Sequence, residues 1–185
     1  MLLIAWVALM VCWFAWGYPF VFRAPHNQKR PSITLAGPTR VGLLLEGIAI
    51  FIAFSCRLPV GWEPGVARVA DSLALGIAAP MLSWSAVRHL GRQFRVNAGL
   101  YEDHKLVRGG AYSVVRHPIY CSLLAILGST LCLLTPWQWA LLSLALFVAG
   151  TEIRVAAEDG LLRQRFGQEF EEYRRQVKAY IPFVR

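Results

Sequence analysis

His104-Lys-Leu-Val-Arg-Gly-Gly-Ala-Tyr-Ser-Val-Val-Arg-His-Pro-Ile-Tyr120 closes the longest polar interval of an otherwise apolar chain and runs into a new apolar block at Ile119. Proline lacks an N–H and clashes with the preceding turn, so it is excluded from helix interiors but suits a first turn. Arg116-His117-Pro118 therefore reads as a helix entry. It places a guanidinium, an imidazole and, about one turn on, the Tyr120 phenol where a membrane helix meets water. A second polar cluster, Arg154 with Glu158 and Asp159, follows the last apolar block. The two clusters are expected to meet on one membrane face and build one site.

Composition sets the class. The 185 residues are 56% hydrophobic and 16% charged, and the mean hydropathy of +0.46 lies outside the usual soluble range. The apolar residues come in blocks close to bilayer length, as in an integral membrane protein. A net charge of +8 would suggest nucleic acid in a soluble protein. Here basic loops orient membrane helices and face anionic headgroups, so no nucleic-acid partner is expected. Cys12, Cys56, Cys121 and Cys132 fall in apolar blocks without Cys-x-x-Cys spacing, which argues against a disulfide frame or a metal site.

Five spans are predicted at about 2–22, 41–57, 67–88, 119–134 and 137–157, all in a single domain covering 1–185. The first has no basic residue before it and no small-x-small cleavage site, so a cleaved signal peptide is not expected. Trp6, Trp13, Trp16 and Tyr18 read as interfacial anchors. Glu46 lies inside the second span. An intramembrane carboxylate is a functional candidate, although a protonated or helix-paired structural role is the plainer reading. Asp71 starts the third span, and Pro80 within it would kink the helix and open a gap. Thr135-Pro136-Trp137 makes the last two spans a tight antiparallel hairpin. Beyond them, Leu161, Leu162, Phe166, Phe170, Tyr173 and Val177 recur every three to four residues, predicting an amphipathic helix over 158–178 interrupted at Gly167. The apolar tail around Ile181-Pro182 is expected to dock back.

Counting the basic residues at the span ends (Arg57, Arg68, Arg88 and Arg154) with the adjoining loops, the connections after spans one, three and five hold four, six and seven Lys or Arg, against two and none after spans two and four. The positive-inside rule then puts the N-terminus outside and the central loop and C-terminus in the cytoplasm. Both polar clusters fall on the cytoplasmic side.

Several chemistries find no support. His26, His89, His104 and His117 are scattered without ligand spacing, so no metal is expected. There is no Gly-x-Gly-x-x-Gly after a strand and no Gly-x-Ser-x-Gly elbow. Arg154 and Glu158, four apart, share one helix face, an arrangement equally suited to a surface ion pair. Taken singly, none of these residues is specific.

Together, two motifs are. His-Lys-Leu-Val-x-x-Gly-x-Tyr-x-x-x-Arg-His-Pro-x-Tyr at 104–120 and Arg-x-x-x-Glu-Asp-x-x-Leu-x-x-x-Phe-Gly-x-x-Phe-x-x-Tyr at 154–173 resemble the isoprenylcysteine carboxyl methyltransferase family, membrane enzymes related to phospholipid methyltransferases. The resemblance implies S-adenosylmethionine as methyl donor, with Lys105, Leu106, Val107, Gly110, Tyr112, Arg116, His117, Pro118 and Tyr120 lining its pocket and Glu158 and Asp159 closing it. Arg154 would face the transfer site, leaving Arg154 and Glu158 as the catalytic candidates. A lipid-side opening would admit a lipophilic or lipidated acceptor. Two departures stand out: Ser122 replaces a frequent glycine and is expected to reshape the pocket, and Glu158-Asp159 replaces a frequent Glu-Glu pair.

These residue types suit the chemistry. Carboxylates pair with the cationic groups of the donor, and Arg or His with its carboxylate. A carboxylate acceptor needs a cation such as Arg154 to hold it, whereas an amine needs a base, Glu158 or His117. The expectation is an all-helical membrane protein of five spans with a C-terminal amphipathic helix, methylating a lipophilic carboxylate at the cytoplasmic face. The alternatives are phospholipid amine methylation, a non-catalytic membrane protein, or a nicotinamide-dependent reductase on the same fold.

Overall fold

The computed structural model describes residues 2–22, 33–34, 36–59, 62–91, 94, 99–100 and 105–180; His26, His104 and the Ile181-Pro182 tail lie outside them. Helices span Leu2–Phe22 (α1), Ala36–Ser55 (α2), Val66–Leu90 (α3), Pro118–Leu134 (α4), Trp137–Phe166 (α5) and Gln168–Gln176 (α6). Helices α1, α2, α3 and α5 are long and apolar enough to cross a membrane, and α4 is a shorter apolar helix. A two-residue antiparallel pairing, Ile33–Thr34 (β1) with Gly99–Leu100 (β2), ties the α1–α2 connection to the α3–α4 connection. No strand was expected there, because two residues are too few for an alternating pattern to show.

Helix α2 packs on α5, α4 on α3, and α3 on α1, while α4 touches α2 and α5 more sparingly. The outer surface is apolar: Val7, Val11 and Phe14 of α1, Phe51 of α2, Met81 of α3 and Leu141 of α5 are all exposed. Such a surface suits hydrocarbon and not water, which makes this an integral membrane protein. The interior instead carries small hydroxyls that bond neighbouring helices. Ser72 and Ser129 join α3 to α4 at 3.1 Å, Ser143 donates to the Ala49 carbonyl, and Thr135 to that of Ala53. Interhelical bonds of this kind contribute about 0.6 kcal/mol each in a bilayer.

Two tryptophans depart from the interfacial role expected of them. Trp13 and Trp16 turn inward and donate to Thr130 and Ser122 of α4, each at 3.0 Å. An indole N–H in hydrocarbon has no water to bond, so it seeks a hydroxyl. Ser122, the departure from the motif glycine, thus fastens α4 to α1. Pro19 inside α1 lacks the N–H that would bond the Ala15 carbonyl, and Trp84 of α3 supplies that donor at 2.8 Å. Helix α3 continues unbroken through Pro80.

Helix α5 is longer than its hydropathy suggests. It runs unbroken to Phe166, where Gly167 turns at φ +51 and α6 follows with nine residues. The amphipathic stretch expected over 158–178 is therefore divided between the end of α5 and a short α6. Polarity ends the apolar block, but Glu, Leu, Arg and Gln remain good helix formers and no proline intervenes. Glu158 and Asp159 consequently stand on a rigid helix.

Candidate active site

The site forms around the start of α4. Pro118 occupies the first helical turn and His117 stands at its N-cap position (φ −124, ψ 60). The N–H groups of Arg116 and His117 donate to the carbonyls of Lys178 and Ala179 at 2.8 and 3.1 Å. The segment after α6 thus lies parallel to residues 115–117, with Val115 bridged to Lys178. Arg116 Nη1 donates to the Val177 carbonyl at 2.9 Å. The Tyr173 hydroxyl donates to the Tyr112 carbonyl at 2.6 Å.

The end of α5 meets this entry. Asp159 accepts from Arg116 Nη2 at 3.1 Å and from His117 Nε2 at 2.9 Å. On the other side of the ring, His117 Nδ1 lies 3.6 Å from Glu158 Oε2. Glu158 Oε1 accepts from the Tyr120 hydroxyl at 2.5 Å. Arg154 spreads its guanidinium over the Tyr120 ring, 4.8 Å from the centroid, and donates to Glu46 of α2. The two clusters therefore share one end of the bundle and touch.

An imidazole flanked by two carboxylates is suited to holding both protons. Burial alone would push the His117 pKa down, but the hydrogen bonds and charges of Asp159 and Glu158 outweigh it and hold the group above its ordinary value. Burial also raises the Tyr112 phenol well above its usual range and Tyr173 to about 12, so both remain neutral.

The remaining motif residues are placed differently. Leu106 packs with Phe170, Tyr173 and Val177 of the α6 region. Lys105 is exposed and Val107 half-buried on the extended segment before the 3-10 turn Gly110–Ser113. Gly110 has φ +61, and a Cβ there would collide with the His89 ring, so this glycine is explained by backbone and packing. Arg108 pairs with Glu169 at 3.0 Å. Among the motif residues, Arg116, His117, Tyr120, Arg154, Glu158 and Asp159 form the contact network. A cavity of about 510 Å³ lined by Trp6, Arg57, Trp62 and Leu134 lies at the other end of the bundle.

The donor set fits a molecule carrying both charges. Both Asp159 oxygens are paired with cations, whereas the Glu158 side chain keeps 28% of its surface exposed beside them, against 15% for Asp159. Arg116 Nε is buried with no hydrogen-bond partner among the described residues. An acceptor for cations and an unspent donor for an anion thus lie in one cluster.

The fold and this network define a helical membrane protein with a charged site at one end of its bundle. A model of the isoprenylcysteine carboxyl methyltransferase (ICMT) family matches residues 72–164, half of the chain, and the chain belongs to that family. A probable protein-S-isoprenylcysteine O-methyltransferase of Oryza sativa subsp. indica is 35% identical over 115 residues, 60% of each chain. Protein-S-isoprenylcysteine O-methyltransferase B of Arabidopsis thaliana is 30% identical over 115 residues, 60% of this chain and 58% of that one. The Schizosaccharomyces pombe protein-S-isoprenylcysteine O-methyltransferase is 33% identical over 148 residues, covering 77% and 62%. The chain spans about 60% of the length of the curated relatives it matches.

Proposed function

We propose that this protein is a carboxyl methyltransferase using S-adenosylmethionine on a lipophilic acceptor, of the isoprenylcysteine type. The observation that carries the reading is the junction of the two motifs, where Asp159 clamps Arg116 and His117 and leaves Glu158 beside Tyr120 and Arg154. The family match and the names of the relatives support it.

When bound, S-adenosylmethionine supplies an electrophilic methyl on a sulfonium, with an ammonium and a carboxylate as handles. Glu158 would pair with its cationic groups, and Arg116, through the Nε that has no partner among the described residues, would hold its carboxylate, with His117 fixed beside it by Asp159; the segment 105–120 would line the rest of the pocket. Charge-assisted bonds of this kind are strong where water is scarce. Arg154 would hold the carboxylate of the acceptor. A carboxylate is already nucleophilic, so the protein needs to align it within about 3–3.5 Å of the methyl and needs no general base.

The Arg154 guanidinium at the junction of the two motifs supports a carboxylate acceptor, which needs a cation to hold it, over an amine, which needs a base. The topology that fits is five spans with α4 as the short one, the N-terminus outside, and the site and C-terminus in the cytoplasm. α6 would then lie at the membrane surface, and the sparse α4–α5 packing leaves room for a lipid-side entrance.

The test is methyl transfer. Purified protein in lipid nanodiscs is given radiolabelled donor and an N-acetylated S-prenylcysteine, and the product is treated with base. Base-volatile label is expected, as from a methyl ester. Base-stable label on phosphatidylethanolamine would establish amine methylation in its place. Arg154→Ala should lower turnover at least tenfold with donor affinity little changed; equal losses would place Arg154 with the donor.

A further inference from the structure

Glu46 is the one carboxylate of the network on a helix outside the matched stretch 72–164. It sits mid-helix in α2 and is 2% exposed. Both of its oxygens are engaged from α5: Thr151 donates to Oε1 at 2.9 Å and Arg154 Nη1 to Oε2. A buried, unpaired carboxylate in hydrocarbon is costly, so it is either protonated or paired. What the structure adds is which partner: the guanidinium lying over Tyr120, whose hydroxyl bonds Glu158.

The surrounding backbone is built for this pair. Gly42 and Gly150 face each other across the α2–α5 crossing, and a Cβ on Gly42 would overlap the Arg154 side chain and come within 2.6 Å of the Gly150 carbonyl oxygen. A Cβ on Gly150 would meet the Gly42 carbonyl oxygen at 2.6 Å and the Glu46 side chain at 3.2 Å. The helices therefore approach at small residues one turn from the pair, which brings a short Glu side chain to a long Arg. Arg has many rotamers; contact with Glu46 on one side and Tyr120 on the other selects one.

We infer that Glu46 is a positioning residue: it holds the Arg154 guanidinium over Tyr120 so that the acceptor carboxylate meets it in the productive orientation. This deepens, and rests on, the carboxyl methyltransferase reading. Glu46 acts through Arg154 on the acceptor and leaves the donor to Glu158, Arg116 and His117. Removing it takes away the carboxylate that anchors Nη1 of the guanidinium.

The test uses the full chain in nanodiscs with Glu46→Ala, Glu46→Gln, Arg154→Ala and the Glu46→Ala/Arg154→Ala double variant. Turnover, acceptor KM and, by calorimetry, affinity for the donor are measured, with melting temperature as the check on folding. Glu46→Ala should lower kcat/KM for the prenylcysteine at least tenfold with donor affinity within about threefold of wild type. Glu46→Gln, which keeps the shape and an oxygen for Thr151 or Arg154, should recover part of that loss. In the Arg154→Ala background, Glu46→Ala should have no further effect on turnover, because the residue through which it acts is gone. Losses that multiply in the double variant, or donor affinity falling in step with turnover, would overturn the role. So would undiminished activity in Glu46→Ala. If only Glu46→Gln folds, its own loss of acceptor kcat/KM at constant donor affinity decides the matter. Wild-type protein that methylates no carboxylate would refute the carboxyl methyltransferase reading itself and Glu46's role with it, a result distinct from an active wild type with multiplicative losses.

Discussion

Glu158 and Asp159 are adjacent in sequence and differ in what they hold. Asp159 is bonded to Arg116 and His117, a structural clamp, while Glu158 faces Tyr120 and stays partly exposed. Glu158→Ala should reduce S-adenosylmethionine affinity at least about 30-fold, the loss of a charge-assisted bond of about 2 kcal/mol, with the melting temperature nearly unchanged. Calorimetry and thermal melts of one preparation check this. Asp159→Ala leaves two cations without their carboxylate and should destabilise the fold by on the order of 3 kcal/mol. His117 adds a pH signature. Its folded pKa lies above the unfolded value near 6.5, so its contribution to stability is fully present below about pH 6.5 and is lost as pH rises through the higher folded value. Melting temperatures of wild type and His117→Asn should therefore differ most at pH 6 and converge as the pH is raised toward 9.

At the scale of elements, the entry to α4 depends on the chain's last described residues. Arg116 and His117 give their N–H groups to Lys178 and Ala179, and Cys121 reaches the Tyr180 carbonyl at 3.4 Å. Truncation after Gln176 should leave the bundle helical by circular dichroism but lower S-adenosylmethionine affinity at least tenfold, because His117 and Arg116 lose the backbone frame that aims them. The α2–α5 crossing is equally exacting. Gly42→Ala forces the helices apart and should destabilise by about 1–3 kcal/mol, seen as a lower melting temperature, with turnover reduced as Arg154 shifts. At the far end, Arg68 of α3 donates to the carbonyls of Leu131, Cys132 and Thr135 and so closes the C-terminus of α4.

At the scale of the whole molecule, the β1–β2 pairing joins the α1–α2 and α3–α4 connections, and the site faces the same end. The proposed orientation makes a direct prediction. Single cysteines at Arg108 and Glu172, in a background with the native cysteines replaced, should react with an impermeant maleimide from the cytoplasmic side of inverted vesicles. A cysteine at Gln138, in the first turn of α5 beside the short α4–α5 connection, should be protected there and react in right-side-out vesicles. The apolar blocks and basic loops of the sequence carry this information because the bilayer acts on averages over many residues and not on single contacts.

Hydropathy block by block foretold the apolar helices, Pro118 marked where α4 begins, and the two motifs brought the charged cluster and the family into view. Those signals are local, or repeat over a bilayer's thickness, and so survive in one dimension. The partner of Glu46, the inward turn of Trp13 and Trp16, the capping of Arg116 and His117 by Lys178 and Ala179, and the continuation of α5 to Phe166 were not legible. Each depends on which side chain or carbonyl stands opposite once the helices are packed, at separations such as the 108 residues between Glu46 and Arg154. In hydrocarbon, polar groups must find one another within the protein, and only the three-dimensional arrangement decides which ones meet.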